Sequence, residues 1–515
     1  MKPTLNLLLI LALVCGLMLW TGCPLIPDDP DYWDGNDPDD DPDDGDDEPD
    51  PNEPLWAGVV WAEKAGGPSA DAAQAVTGLP DGSCIVTGFY SSSAVFSPST
   101  QQAVTWVSEG DNDMFLARYA PDGRLVWVTS AGGSGLDEGH GVAALPDGSV
   151  YVAGAHSLYA QFGEQDPVQT LLPAAGPLDI FLARYNFDGT FRFATRAGGY
   201  SYDEANDVSA LDDGAAYVTG YYTTRAGFGV SETNETVLTS AGDEDLFVAR
   251  FNNDGSLDWV RSEGGTGTDV GTGIAAYPDG SVVAAGYLNG QFKDAATAKA
   301  LARDACVVRY DFYGSRKWSR QIGGTGDTAA LDVAALPDGG CLVVGGFSGT
   351  TTFGYGEPNQ KMLLAGSTTD AFFARFAADG ALVWVKSAPS ALGEAVAYAV
   401  SACADDTFVA GGYFTRTATL GPGEARETKM DSAGAKDLFV ARFSADGKVL
   451  SVCHGGGTKD EMVLGVAGMP IVDFPGDFLA VGSFAGPLTL GRDSQYPRSL
   501  STSGGWDVLV ARLSE

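Results

Sequence analysis

The chain has 515 residues, of which 69 are glycine and 44% are hydrophobic, and its formal net charge is −38. An acidic surface repels phosphate backbones, so the composition argues against a nucleic-acid-binding protein. Abundant glycine, with no long runs of helix-forming residues, favours short strands and many turns over helices.

The N-terminus has the pattern of an export signal. The apolar run from Leu5 to Trp20 is about 16 residues long, which is short for a membrane-spanning helix and typical of a signal peptide. It ends in a Trp-Thr-Gly-Cys sequence at 20–23 that resembles a bacterial lipobox, with Trp20 where an aliphatic residue is usual. We expect a signal peptide over 1–22 and lipidation of Cys23; the alternative is ordinary cleavage that leaves Cys23 unmodified.

An acidic segment follows over 23–54. Between Pro24 and Glu53 it has fifteen Asp and Glu residues, several prolines and no Lys or Arg. Such a segment cannot bury enough apolar area to offset its ordering entropy, and its charges keep it extended. We expect a disordered tether. No stretch of it fits a calcium-binding loop, so we expect no cofactor beyond weak calcium binding.

Residues 55–515 repeat two phrases. The first is an Asp followed five residues later by Arg, at Asp113 and Arg118, Asp179 and Arg184, Asp245 and Arg250, Asp304 and Arg309, Asp370 and Arg375, Asp437 and Arg442, and Asp507 and Arg512. The second is a Pro-Asp-Gly turn followed by an apolar strand, with glycine at positions 88, 154, 220, 286, 345, 412 and 482. Repeats of this length are typical of solenoids and propellers.

Strand periodicity favours the propeller. The second copy predicts strands at 142–145, 150–155, 180–185 and 190–196, with Asp-Gly turns at 147–148 and 188–189. Four antiparallel strands per repeat form a propeller blade, whereas leucine-rich solenoids have shorter repeats.

The two ends of the repeat region are complementary. Residues 57–65 resemble the fourth strand of a repeat, and the chain ends just after a third strand. Pairing these strands would remove the exposed edges of the sheet. We therefore predict an all-β fold, a seven-bladed β-propeller of four-stranded antiparallel blades, closed by the N-terminal strand completing the last blade.

The repeat resembles the bacterial SBBP-type β-propeller repeat. The second copy reads Gly132-Gly133, Asp137, Asp147-Gly148, Gly154 and Asp179-Ile180-Phe181, and the resemblance covers essentially all of 55–515. It implies an exported, cell-surface propeller and no particular activity, since a fold does not determine function.

The repeated charged residues have a structural and a functional interpretation. We expect each repeat arginine to reach a carboxylate of the neighbouring blade and so to hold the ring together, because a buried arginine needs a partner. A third set of acids follows the Gly-Gly turns: Asp71, Asp137, Asp203, Asp269, Asp327, Glu394 and Asp460. These acids either cap turns, which we favour, or form a ring that binds cations.

The other chemically interesting residues fit packing roles. Trp127, Trp259, Trp318 and Trp384 are expected between blades. Cysteines 84, 306, 341, 403 and 453 contain no CxxC pair, and we predict no disulfide and no metal site from them. Glu138 and His140 are the nearest candidates for a site that breaks the repeat, without a catalytic pattern around them.

The sequence favours a binding or scaffold module over an enzyme. We expect a monomeric, lipid-anchored protein of the cell envelope, at the outer membrane or cell surface rather than the inner membrane, that binds a protein or glycan. Specificity would lie in the loops between second and third strands, because loops on a rigid ring usually bind ligands. The alternatives are a carbohydrate-active hydrolase or lyase that uses channel carboxylates, and a passive envelope spacer.

Overall fold

The computed structural model describes residues 55–56, 58–98, 103–290, 302–469 and 476–514. The expected signal peptide, Cys23 and the acidic tether lie outside these residues. All regular elements in the described part of the chain are β-strands. Accordingly, no helix that could span a bilayer is found there.

The strands form four-stranded antiparallel units, in which strand A pairs with B, B with C and C with D. The strands that lead into and form the first two units are β1 (Leu55–Trp56), β2 (Gly58–Gly66), β3 (Asp71–Gly78), β4 (Cys84–Phe96), β5 (Val104–Tyr119), β6 (Leu125–Ala131), β7 (Asp137–Ala144), β8 (Val150–His156), β9 (Tyr159–Phe162), β10 (Thr170–Pro173), β11 (Asp179–Tyr185) and β12 (Phe191–Gly199). The next two contain β13 (Asp203–Ala210), β14 (Ala216–Phe228), β15 (Thr236–Phe251), β16 (Leu257–Glu263), β17 (Asp269–Ala276), β18 (Val282–Leu288), β19 (Asp304–Tyr310) and β20 (Arg316–Gly324).

The rest of the chain continues the same pattern. Its strands are β21 (Thr328–Ala335), β22 (Cys341–Phe347), β23 (Thr350–Phe353), β24 (Lys361–Leu364), β25 (Asp370–Phe376), β26 (Leu382–Ala388), β27 (Ser390–Ala391), β28 (Ala395–Ala402), β29 (Phe408–Phe414), β30 (Thr417–Leu420), β31 (Thr428–Asp431), β32 (Asp437–Phe443), β33 (Val449–Gly456), β34 (Glu461–Gly468), β35 (Phe478–Phe484), β36 (Leu488–Leu490), β37 (Arg498–Leu500) and β38 (Asp507–Ser514). In order A to D, the units are β3-β4-β5-β6, β7-β8-β11-β12, β13-β14-β15-β16, β17-β18-β19-β20, β21-β22-β25-β26, β28-β29-β32-β33 and β34-β35-β38-β2.

The unit at the C-terminus takes its strand D from the start of the described chain. β2 pairs antiparallel with β38, from Gly58 opposite Ser514 to Ala65 opposite Val508. The A strands lie side by side and line a central cavity of about 730 Å³. The architecture is therefore all-β and propeller-like, with strand A innermost.

The tight turns follow the Asp-Gly pattern. In the second unit, the amide of Gly148 donates to the Leu145 carbonyl at 2.8 Å, and Gly148 has a φ of 75°. Glycine is required because a Cβ would strain the left-handed conformation. At Gly189, where φ is 85°, a Cβ would also meet the Trp127 ring at 2.8 Å. The predicted strands of this unit are present, with strand A beginning five residues earlier than expected, at Asp137.

The segments between strands B and C form hairpins that connect neighbouring units. β9 pairs with β10 and β23 pairs with β24, and each hairpin contains a Phe-Gly sequence at the end of its first strand. The end of strand D of one unit pairs with the hairpin of the next: β12 with β14, β20 with β23, β33 with β36, and β2 with β4. Backbone hydrogen bonds therefore link units that are otherwise joined by side-chain packing.

A repeated acid in these hairpins anchors them to their own sheet. The carboxylates of Asp166, Glu232, Glu357 and Glu424 each accept the backbone amide of a strand-D residue 25 positions later, at 2.7–3.1 Å. Each acid lies three residues after a glycine that follows a buried Phe or Leu. This Gly-x-x-acid pattern was readable in the sequence and was missed.

Most cysteines pack in the core, as expected. Cys84, Cys306, Cys341 and Cys453 are buried, Cys403 is half-buried, and these five described cysteines form no disulfide with one another. Cys403 lines a cavity of about 320 Å³ between Leu336, Leu342 and Phe408. Burial raises the pKa of Cys84 to about 12, so its reactive thiolate is scarce.

We expect Cys403 to be the fastest of these five thiols to react with iodoacetamide in the native protein. It has solvent access, and the other four thiols do not. Peptide mapping by mass spectrometry over a time course measures each rate, and the same reaction in urea should make all five rates similar. Native labelling of Cys84 as rapid as that of Cys403 would contradict this packing.

Candidate functional site

The repeat arginines lie at the ends of the C strands, away from the repeat aspartates at the starts. The Arg118 guanidinium is buried and forms an ion pair of 2.5 Å with Asp81 in the A–B turn of its own unit. The same pairing occurs at Arg184 with Asp147, Arg250 with Asp213, Arg375 with Asp338, Arg442 with Asp405 and Arg512 with Asp477. The expected carboxylate of the neighbouring unit is therefore not the partner, because the Pro-Asp-Gly turn is closer.

The arginines do reach the neighbouring unit, through a backbone carbonyl. The Phe187 carbonyl in the second unit accepts hydrogen bonds from Arg118 Nη1 and Trp127 Nε1 of the first, both at 3.3 Å. Arg512 and Trp61 converge in the same way on the Pro121 carbonyl, both at 2.9 Å. These arginines and tryptophans hold adjacent units together.

Arg118→Met should lower the free energy of unfolding by about 2–3 kcal/mol, because it removes one of the two donors to the Phe187 carbonyl and breaks the ion pair with Asp81. Urea denaturation followed by tryptophan fluorescence measures the loss. Arg124→Met is the matched control: its side chain is exposed in the next turn, and we expect a change within about 0.5 kcal/mol. Equal effects of the two variants would show that the buried pair is unimportant.

The repeat aspartates at the starts of the C strands cap the preceding turn. Asp113, Asp179, Asp245, Asp370, Asp437 and Asp507 each accept the backbone amide of the residue four positions earlier, at 2.7–3.1 Å. Asp304 instead accepts from the Gln321 side chain at 2.8 Å. All seven are at most 5% exposed, so none is available to an external ligand.

The acids after the Gly-Gly turns do not form a ring of seven equivalent residues. Asp71, Asp137, Asp203 and Asp269 begin their A strands and each accept a glycine amide at 2.6–2.8 Å. In the last three units the residues that the strand pairing places at the start of strand A are Thr328, Ala395 and Glu461. Asp327, Glu394 and Asp460 lie one residue earlier in the chain.

Neighbouring units bring some of these buried acids together in pairs. Asp507 Oδ1 and Asp71 Oδ2 lie on either side of Gly66, at 2.6 Å and 3.0 Å from where its Cβ would be. Burial raises the pKa of Asp71 to about 7 and that of Asp137 to about 8. Asp113 Oδ1 and Asp137 Oδ1 are buried and accept no hydrogen bond in the described structure. Within that part of the chain, no group of three or more His, Cys, Asp or Glu side chains is arranged to hold a metal ion.

The central cavity is where the repeat pattern breaks. Equivalent positions on successive A strands, β3, β7, β13, β17, β21, β28 and β34, are Gln74, His140, Asn206, Thr272, Leu331, Tyr398 and Leu464. Polar residues therefore line one side of the cavity, and largely apolar residues line the other. A residue with a purely structural role would be the same in every unit around the cavity. The fourth position of strand A varies instead, so it is a candidate for function.

A hydrogen-bonded network occupies the polar side. His140 Nε2 lies 3.2 Å from Glu138 Oε2, and His140 Nδ1 lies 3.3 Å from Glu204 Oε1 and 2.9 Å from the Ala205 carbonyl. Burial opposes a charge on His140, but the hydrogen bond to Glu138 and the charge of Glu204 outweigh it and raise the His140 pKa. The Tyr221 hydroxyl donates to Glu204 Oε2 at 2.8 Å.

Glu244 completes this group, which we call the mouth cluster: Glu138, His140, Glu204, Tyr221 and Glu244. Glu244 lines the cavity, and its side chain has no hydrogen-bond or ion-pair partner among the described residues. Burial, with the charges of Asp243 and Glu204, raises its pKa. Glu244 also contributes to the raised pKa of Tyr287, which lines the same side of the cavity.

Exposed apolar side chains lie at the same end of the units. Tyr200 is 92% exposed and Tyr202 is 56% exposed, in the loop that leads to Glu204. The adjacent loop of the second unit carries Leu158, which is 62% exposed. The two loops meet where Gly176 lies against the Ser201 carbonyl. We call Leu158, Tyr200 and Tyr202 the rim.

The sequence pointed to part of this site. Glu138 and His140 break the repeat in the sequence, and the structure places them together with Glu204. Tyr221 and Glu244 were missed, because they lie on strands B and C and reach the A strands only through the fold. The site could have been recognised in the sequence from the residue type at the fourth position of strand A, which changes from repeat to repeat.

Comparison with known proteins supports a β-propeller repeat. A family model described as a domain of unknown function (DUF5122) beta-propeller matches residues 236–258, which include all of strand C of the third unit. The uncharacterized WD repeat-containing protein L264 of Acanthamoeba polyphaga mimivirus is 22% identical over 539 residues, covering 89% of this chain and 38% of that protein. Together these similarities support a β-propeller repeat protein.

Other similarities are more distant. The regulatory protein FlaEY of Caulobacter vibrioides is 24% identical over 362 residues, covering 65% of this chain and 35% of that protein. This chain thus spans less than two-fifths of the curated relatives it matches. Among solved structures, Sqt1 from Chaetomium thermophilum has a TM-score of 0.39 at 9% identity, covering 89% of this chain and 100% of that one.

Proposed function

We propose that this protein is an exported, lipid-anchored binding or scaffold module for a protein partner, built as a closed seven-bladed propeller. The observation that carries the proposed role is the break in the repeat at the central cavity. Side chains that hold the units together recur from unit to unit, whereas the mouth cluster and the rim occur once.

The strand pairing supports closure. The described units number seven, and the last is completed by β2, which pairs with β38. Strand A of that unit, β34, also contacts strand A of the first unit, β3. The WD-repeat name of one relative is consistent with a propeller that binds other proteins.

The mouth cluster favours binding over catalysis. Both ring nitrogens of His140 face acceptor oxygens, which stabilises the doubly protonated imidazolium. That form cannot act as a general base. Both glutamates beside it are engaged as well: Glu138 Oε1 accepts from the Asn112 side chain at 2.5 Å and Glu204 Oε2 from Tyr221. A preorganised polar wall beside exposed aromatic residues suits recognition.

Site-specific photocrosslinking tests the role. A photoreactive phenylalanine analogue replaces Tyr202 at the rim or, as the matched control, Tyr313, which is 76% exposed in the C–D turn at the opposite end of its unit. In cells, we expect a defined crosslinked protein from position 202 and none from position 313. Equal crosslinking at both positions, or none at either, would refute a protein-binding face. A glycan array probed with the same protein tests the glycan alternative.

The lipid anchor is tested separately. Cells that express the chain are fed an alkyne-bearing palmitate, and we expect label on the wild type and none on Cys23→Ser. The Cys23→Ser chain should also leave the membrane fraction. Label that survives this substitution would show that Cys23 is not the lipidated residue.

A further inference from the structure

We propose that the mouth cluster binds an ammonium or guanidinium group, the side chain of a Lys or Arg in a basic segment of the partner protein. This inference rests on the proposed function and specifies its ligand. It depends on the shape of the cavity, on which carboxylates are already paired, and on the charge of the chain.

The first step concerns the carboxylates. Glu138 and Glu204 share His140 between them, so one positive charge is set against two negative charges. Glu244 adds a third carboxylate to the same side of the cavity and has no side-chain partner in the described part of the chain. The cluster therefore has a net negative charge in a half-buried place, where an incoming cation is screened less than at an open surface.

The second step concerns the aromatic groups. Tyr221 and Tyr287 line the cavity beside Glu204 and Glu244, and aromatic faces attract cations. Tyr287 already has this contact on one face: the guanidinium carbon of Arg303 lies 4.5 Å from the centre of its ring. The site thus combines carboxylates with aromatic rings, a combination that favours an organic cation over a metal ion.

The third step concerns the partner. With 68 acidic and 30 basic residues, the chain attracts basic surfaces over a distance set by the ionic strength. The rim places Leu158, Tyr200 and Tyr202 at the same end as the acidic cavity. A segment that inserts one cationic side chain while its apolar neighbours cover the rim complements both features.

The test uses Nα-acetylarginine amide as the probe and Nα-acetylcitrulline amide as its uncharged analogue, because acetylation removes the charge of the α-amino group from both. Titration calorimetry on the Cys23→Ser chain at low salt should show at least tenfold tighter binding of the arginine compound, and binding should weaken as salt is added. Glu244→Gln should weaken it at least fivefold. Glu164→Gln, the matched control, removes the same charge from an exposed position on the second unit's hairpin and should change it less than twofold.

The outcomes separate this inference from the proposed function. Equal binding of the two amides, no binding at all, or equal effects of Glu244→Gln and Glu164→Gln would overturn the cation site. Crosslinking from position 202 that persists unchanged in Glu244→Gln would also overturn it, while leaving the proposed protein-binding role intact. Thermal melting of both variants confirms that each is folded before it is titrated.

Discussion

A chain that begins at residue 68 is expected to lose most of its stability, whereas one that begins at residue 55 keeps it. The shorter chain lacks β2, the fourth strand of the unit that ends at Ser514. β2 also contributes the buried side chains of Val59 and Ala65 and the hydrogen bond from Trp61 to the Pro121 carbonyl. Loss of a buried tryptophan alone costs about 3–5 kcal/mol, and each lost ladder hydrogen bond about 1 kcal/mol.

The sum is comparable to the whole stability of a typical domain, about 5–15 kcal/mol. The truncation also exposes β38 as an edge, which invites aggregation. Size-exclusion chromatography and thermal melting compare the two chains. Adding a synthetic peptide of residues 55–67 to the shorter chain should restore part of the melting temperature, because the peptide can pair with β38. Melting temperatures of the two chains within about 3 °C of each other would contradict this role of β2.

The second large effect expected is a loss of stability as the pH rises from about 5.5 to 8.5. Burial raises the pKa of Asp113 to about 6, of Asp71 and Asp203 to about 7, and of Asp137 and Glu461 to about 8. Each of these carboxyls has a higher pKa in the folded protein than in the unfolded chain. Below the unfolded pKa its contribution to stability is fully present, and this contribution is lost as the pH rises through the folded pKa. A tenfold difference in proton affinity between the folded and unfolded states corresponds to about 1.4 kcal/mol, so several groups together should change the free energy of unfolding by several kcal/mol.

One histidine acts in the opposite direction. Burial lowers the pKa of His156 to about 4, so the unfolded chain gains a proton below about pH 6.5 that the folded chain does not. Its contribution to stability is therefore lost on the acid side. Because five carboxyls outweigh one histidine, we expect the maximum stability near the unfolded carboxyl pKa of about 4–4.5, and urea denaturation at pH 5.5, 7.0 and 8.5 measures the slope above it.

Asp137→Asn isolates the carboxyl effect. An amide in place of the protonated carboxyl keeps an acceptor for the Gly133 amide and places a donor in the region of Asp113 Oδ1, which lacks one. The variant should be more stable than the wild type at pH 8.5 by about 1–2 kcal/mol and similar at pH 5.5. Asp188→Asn, at an exposed turn, is the control and should leave the pH slope unchanged. A wild type that gains stability from pH 5.5 to 8.5 would contradict the prediction. If adding calcium restores the stability lost at high pH, the carboxyl pairs bind a cation.

Local pattern was sufficient to predict the strands. The alternation in 150–155 and 180–185, with Asp-Gly turns between runs, specifies antiparallel strands because these signals act within a few residues. The same reasoning gave the wrong partner for the arginines. Whether Arg118 meets Asp81 or a neighbour's carboxylate depends on how the A–B turn folds back beside strand C, which no short pattern contains.

The site was harder to predict for the same reason. The recurring acid of the sequence pattern placed Asp327 and Glu394 in register with Asp71, but the strand pairing assigns that position to Thr328 and Ala395. A one-residue difference in register moves a side chain to the other face of a strand. Glu204 and Glu244 come together only once the A strands are arranged around the cavity.

The pairing of Gly58 with Ser514 has a consequence for how the protein would be displayed. Gly58 lies at the turn end of its strand, near Pro121, whereas Glu204 and Tyr202 lie at the far end, where the A strands begin. Strand β2 thus begins on the side away from the acidic cavity. A surface or fusion partner joined at Gly58 would leave the rim open to molecules that approach from the opposite side.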